Sequence, residues 1–177
     1  MPLYRSQSAL IYFVHIPKTG GSSVERALKV DGVSRAMMLS KAKNDEAGHG
    51  RCTPQHIHAD VHKAYFPKGF VDYTFTVVRN PYARMASEYK MKVLDAGRTA
   101  TPDAWIRQAF RRFQKFPFTR DNHIRPQVDF LAAYVKRFHL EDGLAKPIGA
   151  AFKALGLPAP AAVPHNRKGS PQKLQIH

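Results

Sequence analysis

From residue 10 the chain holds an unbroken apolar run, Leu10-Ile11-Tyr12-Phe13-Val14, extending through His15 to Ile16 and ending at a Pro-Lys-Thr-Gly-Gly turn. Over 24–30, with Ala27 and Leu28, the repeat becomes helical. This pattern predicts strand, loop, helix. The logic returns at 73–78 (YTFTVV), which reads as a buried strand, with Asn80 as a helix cap and Pro81 as the first helical residue. Tyr82, Met85, Ala86, Tyr89 and Val93 then form the expected inward stripe. Two such units predict adjacent parallel strands with a site beyond their C-terminal ends.

Other segments are less marked. Residues 41–54 read as a polar surface loop and 59–66 as a short helix before Pro67. Thr101-Pro102 starts a helix that repeats Trp105, Ala109, Phe110, Phe113 and Phe116 on its core side, with Arg107, Arg111, Arg112 and Lys115 on the remainder. Residues 128–138 combine an apolar helical start with a strand near 134–138, and 144–155 predict a helix closed by Gly156. The stretch after Pro158 is turn-rich and basic, a loop or a site-closing element.

The 177 residues, 44% of them hydrophobic, suit one domain. Charge changes the picture more: 28 Lys+Arg against 13 Asp+Glu give +15, which favours phosphate, sulfate or an acidic polymer as partner. Nucleic acid is a rival partner on charge alone, but no paired-cysteine zinc pattern or reading motif accompanies it. The lone Cys52 excludes an intrachain disulfide and reads as a partly buried inert thiol. The apolar run at 9–14 is too short for a membrane span, so a soluble, cytoplasmic protein is expected.

The chemistry sits in the loop. Lys18 brings a mobile charge, Gly20 and Gly21 permit close backbone approach, and Thr19, Ser22 and Ser23 add hydroxyls at a helix start, the parts needed to hold a phosphate or sulfonate. The lysine precedes the glycines, which departs from the G-x-x-x-x-G-K-[ST] order of NTPases, and G-x-G-x-x-G is absent.

The order P-K-T-G-G-[ST]-S after a strand resembles the 5′-phosphosulfate loop of sulfotransferases that use 3′-phosphoadenosine 5′-phosphosulfate (PAPS). TVVRNPYARMASEY resembles their 3′-phosphate-binding strand and helix, and DNHIRPQVDFL is similar to a segment of the carbohydrate branch that includes the heparan-sulfate 2-O-sulfotransferases. The resemblance implies an α/β, P-loop-like three-layer fold with a central parallel sheet and flanking helices. It implies that Pro17, Lys18, Thr19, Gly20, Gly21, Ser22 and Ser23 hold the 5′-phosphosulfate and that Arg79 and Ser87 hold the 3′-phosphate. Asn166 and Ser170 would belong to a loop approaching the nucleotide, although their spacing is wider than the family's short form. Residues 1–177 would then form one domain lacking the family's usual C-terminal helices.

The expected reaction is sulfuryl transfer from PAPS to a hydroxyl, with PAP as product and a carbohydrate, acidic or neutral, as acceptor. Lys18 is the candidate for stabilising the leaving phosphate. For the base, the resemblance to the family's histidine-containing segment favours His56, with His58 second. Positioning and electrostatics suffice for this scheme, which requires no metal. A His58–His62 metal pair lacks a carboxylate cluster, and His62 reads more simply as part of a solvated helix face. Asn122, His123, Arg125 and Gln127 form a polar group without a defined role, Arg125 being a candidate for touching an anion. The competing reading is a non-catalytic module that binds a nucleotide or an acidic polymer.

Overall fold

The computed structural model describes residues 2–38, 51–67 and 69–161. Five strands form one sheet in the order β3-β1-β2-β4-β5: β1 Leu3–Arg5, β2 Leu10–Val14, β3 Ser34–Ala36, β4 Tyr73–Val78 and β5 Lys136–His139. The helices are α1 Gly21–Ala27, α2 Ala59–Tyr65, α3 Pro81–Tyr89, α4 Pro102–Lys115 and α5 Ala145–Ala154.

The sheet is mixed, which corrects the expected parallel one. β2 pairs in parallel with β4 (Phe13 opposite Phe75), and β4 with β5 (Val77 opposite Phe138). β1 runs antiparallel to both β2 and β3. Three-residue β1 folds back through a turn closed by Ser6 and Ala9, and β3 is wholly exposed, so neither leaves a hydrophobic signature.

Alternation along β2 explains how both faces are covered. Ile11 and Phe13 join Tyr4, Phe75, Val77, Leu28 of the α1 C-cap, and Ile148 and Phe152 of α5. Tyr12 and Val14 face Ile57, Phe130 and Val135, with Val61 of α2 packed alongside. Each fully buried large side chain of this kind contributes roughly 1.5–3 kcal/mol. A third cluster joins Tyr89, Val93, Trp105, Ala109 and Ile124, tying α3 to α4. The result is an α/β fold whose central mixed sheet is flanked by helices.

Local expectations shift in four places. Helix α1 begins at Gly21, three residues before the expected start, so Gly20 becomes its cap at φ 87°. On α3, Tyr82 is 76% exposed, whereas Arg84 and Glu88 are buried. On α4, Trp105 and Ala109 are buried but Phe110 and Phe116 are exposed, which narrows the core stripe. The apolar start at 128 is a single 3₁₀ turn, Gln127–Phe130, with Val128 exposed. Most of the expected loop at 41–54 and of the basic tail, including Asn166 and Ser170, lies outside the described residues. Among the described residues, no helix is long and apolar enough to cross a membrane.

Candidate active site

The loop at 15–23 leaves the C-terminal end of β2 and is held from below. Lys18 adopts φ 68° and Gly20 φ 87°, so the chain turns sharply twice within three residues. The Thr19 hydroxyl, fully buried, donates to the Ile16 carbonyl at 2.8 Å and thus pins the turn. Ser22 is exposed and Ser23 buried. Gly21 has no room for a side chain: a Cβ there would lie 2.0 Å from Nε2 of His15.

Two arginines connect the loop to β4 and α3. Arg79, just past β4, donates from its guanidinium to the Lys18 carbonyl at 3.3 Å. Its backbone is clamped on both sides by the Gln127 amide, which accepts from Arg79 N–H (2.9 Å) and donates to its carbonyl (2.7 Å). Arg84 donates to three carbonyls, those of Pro17 (2.9 Å), Arg125 (3.0 Å) and His123 (2.8 Å). Burial lowers its pKa to about 10, partly opposed by Glu88. Ser87 is half-buried on the same helix, one turn beyond Arg84. The Lys18 ammonium rests 3.2 Å from the Met91 sulfur. Met91 sits in the π-helical turn Lys90–Leu94 that continues α3.

Beside the loop, three imidazoles form a row. His15 and His56 meet edge to face with centroids 5.0 Å apart, and His56 meets His123 likewise at 5.1 Å. Each is tied through Nδ1 to a carboxylate: His15 to Glu25 (2.6 Å), His56 to Asp121 (2.7 Å) and His123 to Glu88 (2.8 Å). An ionised carboxylate only accepts, so in neutral His56 and His123 Nδ1 carries the proton and Nε2 the lone pair. Gln55 adds a second hydrogen bond to Glu25 at 2.6 Å. Thr53 gives Asp121 two, from N–H at 2.6 Å and from the hydroxyl at 2.8 Å, and Asn122 donates to the His56 carbonyl at 2.8 Å.

The electrostatics follow from this wiring. Burial lowers the pKa values of His56 and His123, outweighing the carboxylate bonded to each, so both rings are neutral at pH 7. Burial alone would raise Asp121, Glu25 and Glu88. The hydrogen bonds from His56 and Thr53, from His15 and Gln55, and from His123 with help from Lys18 and Lys92 instead hold them below the usual carboxylate range.

The remaining candidates separate. His58, the N-cap of α2, lies away from the row, with its ring against Phe118 and Nε2 4.0 Å from the exposed Asp60 carboxylate. Its Nδ1 is buried with no hydrogen-bond partner among the described residues. His62 is fully buried, between the Tyr134 hydroxyl (3.0 Å) and the Phe130 carbonyl (3.2 Å), which corrects its reading as a solvated face. Arg125 is buried and committed to Asn122, Asp129 and the Pro117 carbonyl, under the rings of Phe113 and Phe118; a structural strut replaces the expected anion contact. Burial raises the Cys52 thiol to about 11, as an inert thiol requires.

Sequence reasoning missed Glu25, Glu88 and Asp121. The Asp121 and Glu88 pairings span 65 and 35 residues, and no local pattern reports such partners.

The fold and site define an α/β protein with a glycine-containing turn at a strand end and carboxylate-bonded histidines beside it. Residues 2–165 match the model of the sulfotransferase family, and the chain belongs to that family. Comparisons with curated proteins and with solved structures find no match.

Proposed function

We propose that this protein transfers a sulfuryl group from PAPS to a carbohydrate hydroxyl, with the P-loop-like turn at 17–23 as its donor site. The observation that carries this reading is the contact between Arg79 and the Lys18 carbonyl, which joins the loop after β2 to the end of β4. A donor bearing both a 5′-phosphosulfate and a 3′-phosphate needs two anion sites on neighbouring elements, and this contact supports pairing the loop with Arg79. The residues present suit it: Lys18 carries a cation on the turn itself, and Arg79 is half-buried at the end of β4. A groove of about 640 Å³ runs past Arg79, Asn80 and Gln127, a volume suited to part of a nucleotide.

In this reading Pro17 to Ser23 cradle the 5′ end, Arg79 and Ser87 take the 3′-phosphate, and Asn166 and Ser170 belong to the segment that approaches the nucleotide. The donor supplies an electrophilic sulfur and a good leaving group. Lys18 neutralises charge on the leaving phosphate as the sulfur–oxygen bond breaks. His56 takes the acceptor hydroxyl's proton on Nε2, and Asp121, bonded to Nδ1, holds the ring in that tautomer and stabilises the imidazolium. A reducing, cytoplasmic setting suits the one buried thiol.

One observation favours His58 as the base instead: its unpartnered Nδ1. Single His56→Ala and His58→Ala variants separate the two, with donor affinity measured by calorimetry and turnover with labelled donor. His56→Ala should lose about 10²–10⁴-fold in turnover and keep donor affinity. The same pattern in His58→Ala, with His56→Ala active, moves the role to His58. Donor binding without transfer by wild type would support a non-catalytic module.

A further inference from the structure

Among the described residues, one grouping of three side chains brings metal-ligand donors together: His56, Asp121 and His123 each offer a ligand atom, all within 4.8 Å of one another. Two nitrogen donors and one anionic oxygen make a set that suits zinc and unlike the all-oxygen sets of magnesium or calcium. The surroundings resemble those of a metal ligand shell. The His123 ring is oriented by a buried carboxylate, Glu88, at 2.8 Å, and Asp121 is aimed by the Thr53 N–H and hydroxyl. Glu88 also keeps a second oxygen, Oε1, buried without a hydrogen-bond partner among the described residues.

We propose that His56, Asp121 and His123 form a binding site for a zinc-class divalent cation that takes the place of the Nδ1 proton His56 donates to Asp121, with three protein ligands and the fourth position open to water. The site stands on its own geometry. Its consequence rests on the sulfotransferase reading, since a cation held between His56 Nδ1 and Asp121 removes the carboxylate that would stabilise the imidazolium and opposes protonation at Nε2. Zinc therefore inhibits transfer while leaving donor binding at the loop intact.

The test counts metal without donor or acceptor. Full-length protein is stripped with a chelator, equilibrated with Zn²⁺ and analysed for bound metal, and Co²⁺ is then substituted to read the d–d bands of a four- or five-coordinate nitrogen–oxygen site. Wild type should hold one tightly bound Zn²⁺ per chain. His123→Gln and Asp121→Asn should lose it, whereas His139→Ala, at an exposed histidine elsewhere, should keep it. If circular dichroism shows either ligand variant unfolded, Thr53→Val decides, with an expected weakening of roughly tenfold. No tight Zn²⁺ in wild type, retention by a folded His123→Gln, or an unchanged affinity in Thr53→Val overturns the site. Zinc binding by a protein that transfers no sulfate contradicts the functional reading alone. Intact transfer without zinc binding contradicts the cation site alone.

Discussion

Replacing Gly21 by alanine sets helix propensity against packing, and the structure says packing wins. Gly21 has negative φ and opens α1, so alanine suits its backbone and by propensity gains at most about 1 kcal/mol. The added Cβ, however, would lie 2.0, 2.2 and 2.6 Å from Nε2, Cδ2 and Cε1 of His15. That ring is 5% exposed, stacked on Phe13 and bonded to Glu25, so it cannot yield cheaply. If His15 swings away, the buried Glu25 carboxylate loses a 2.6 Å hydrogen-bond partner, at roughly 3 kcal/mol. If α1 shifts instead, overpacking costs about 1–3 kcal/mol and the loop moves with the helix. The net expectation is a loss of about 2 kcal/mol, read as a lower urea midpoint with unchanged slope. Gly149 in α5 is the control: a Cβ there meets nothing within 4 Å, so Gly149→Ala should gain about 0.5–1 kcal/mol. A Gly21→Ala protein as stable as wild type, or moving with Gly149→Ala, would refute the argument.

Arg84→Met should destabilise by about 3 kcal/mol or more, because it leaves the carbonyls of Pro17, His123 and Arg125 without their shared donor; a urea midpoint within error of wild type would contradict this. Stability should also fall in two stages on acidification. His56, His58, His62 and His123 have folded pKa values below the unfolded value near 6.5, so their contribution is complete above that pH and declines as pH falls through the folded values. Glu25, Glu88 and Asp121 are likewise depressed, so their contribution is lost below about pH 4; a urea midpoint that rises between pH 7 and 5 would contradict the first stage.

The two strand-loop-helix units were legible because their signals are local: five consecutive apolar residues before Pro17, and an Asn-Pro start whose cap accepts from Ala83 N–H at 3.1 Å. The sheet's other half was not, since β1 and β3 have three residues each and β3 buries nothing. On α3 the apolar repeat pointed Tyr82 inward, but the helix turns Arg84 and Glu88 in, because carbonyls and a histidine from remote segments satisfy them there. The loop was readable from its own residues. The histidine row was not, because its order depends on carboxylates that only folding brings together.

Labelled sulfate transfer, measured from PAPS to a panel of glycans with wild type beside Lys18→Ala, tests the proposed function most directly. Wild type should label at least one glycan hydroxyl, and Lys18→Ala should retain its circular dichroism while losing roughly 10²–10³-fold in turnover. A wild type that labels no acceptor on the panel, or a Lys18→Ala protein that transfers at the wild-type rate, would contradict it.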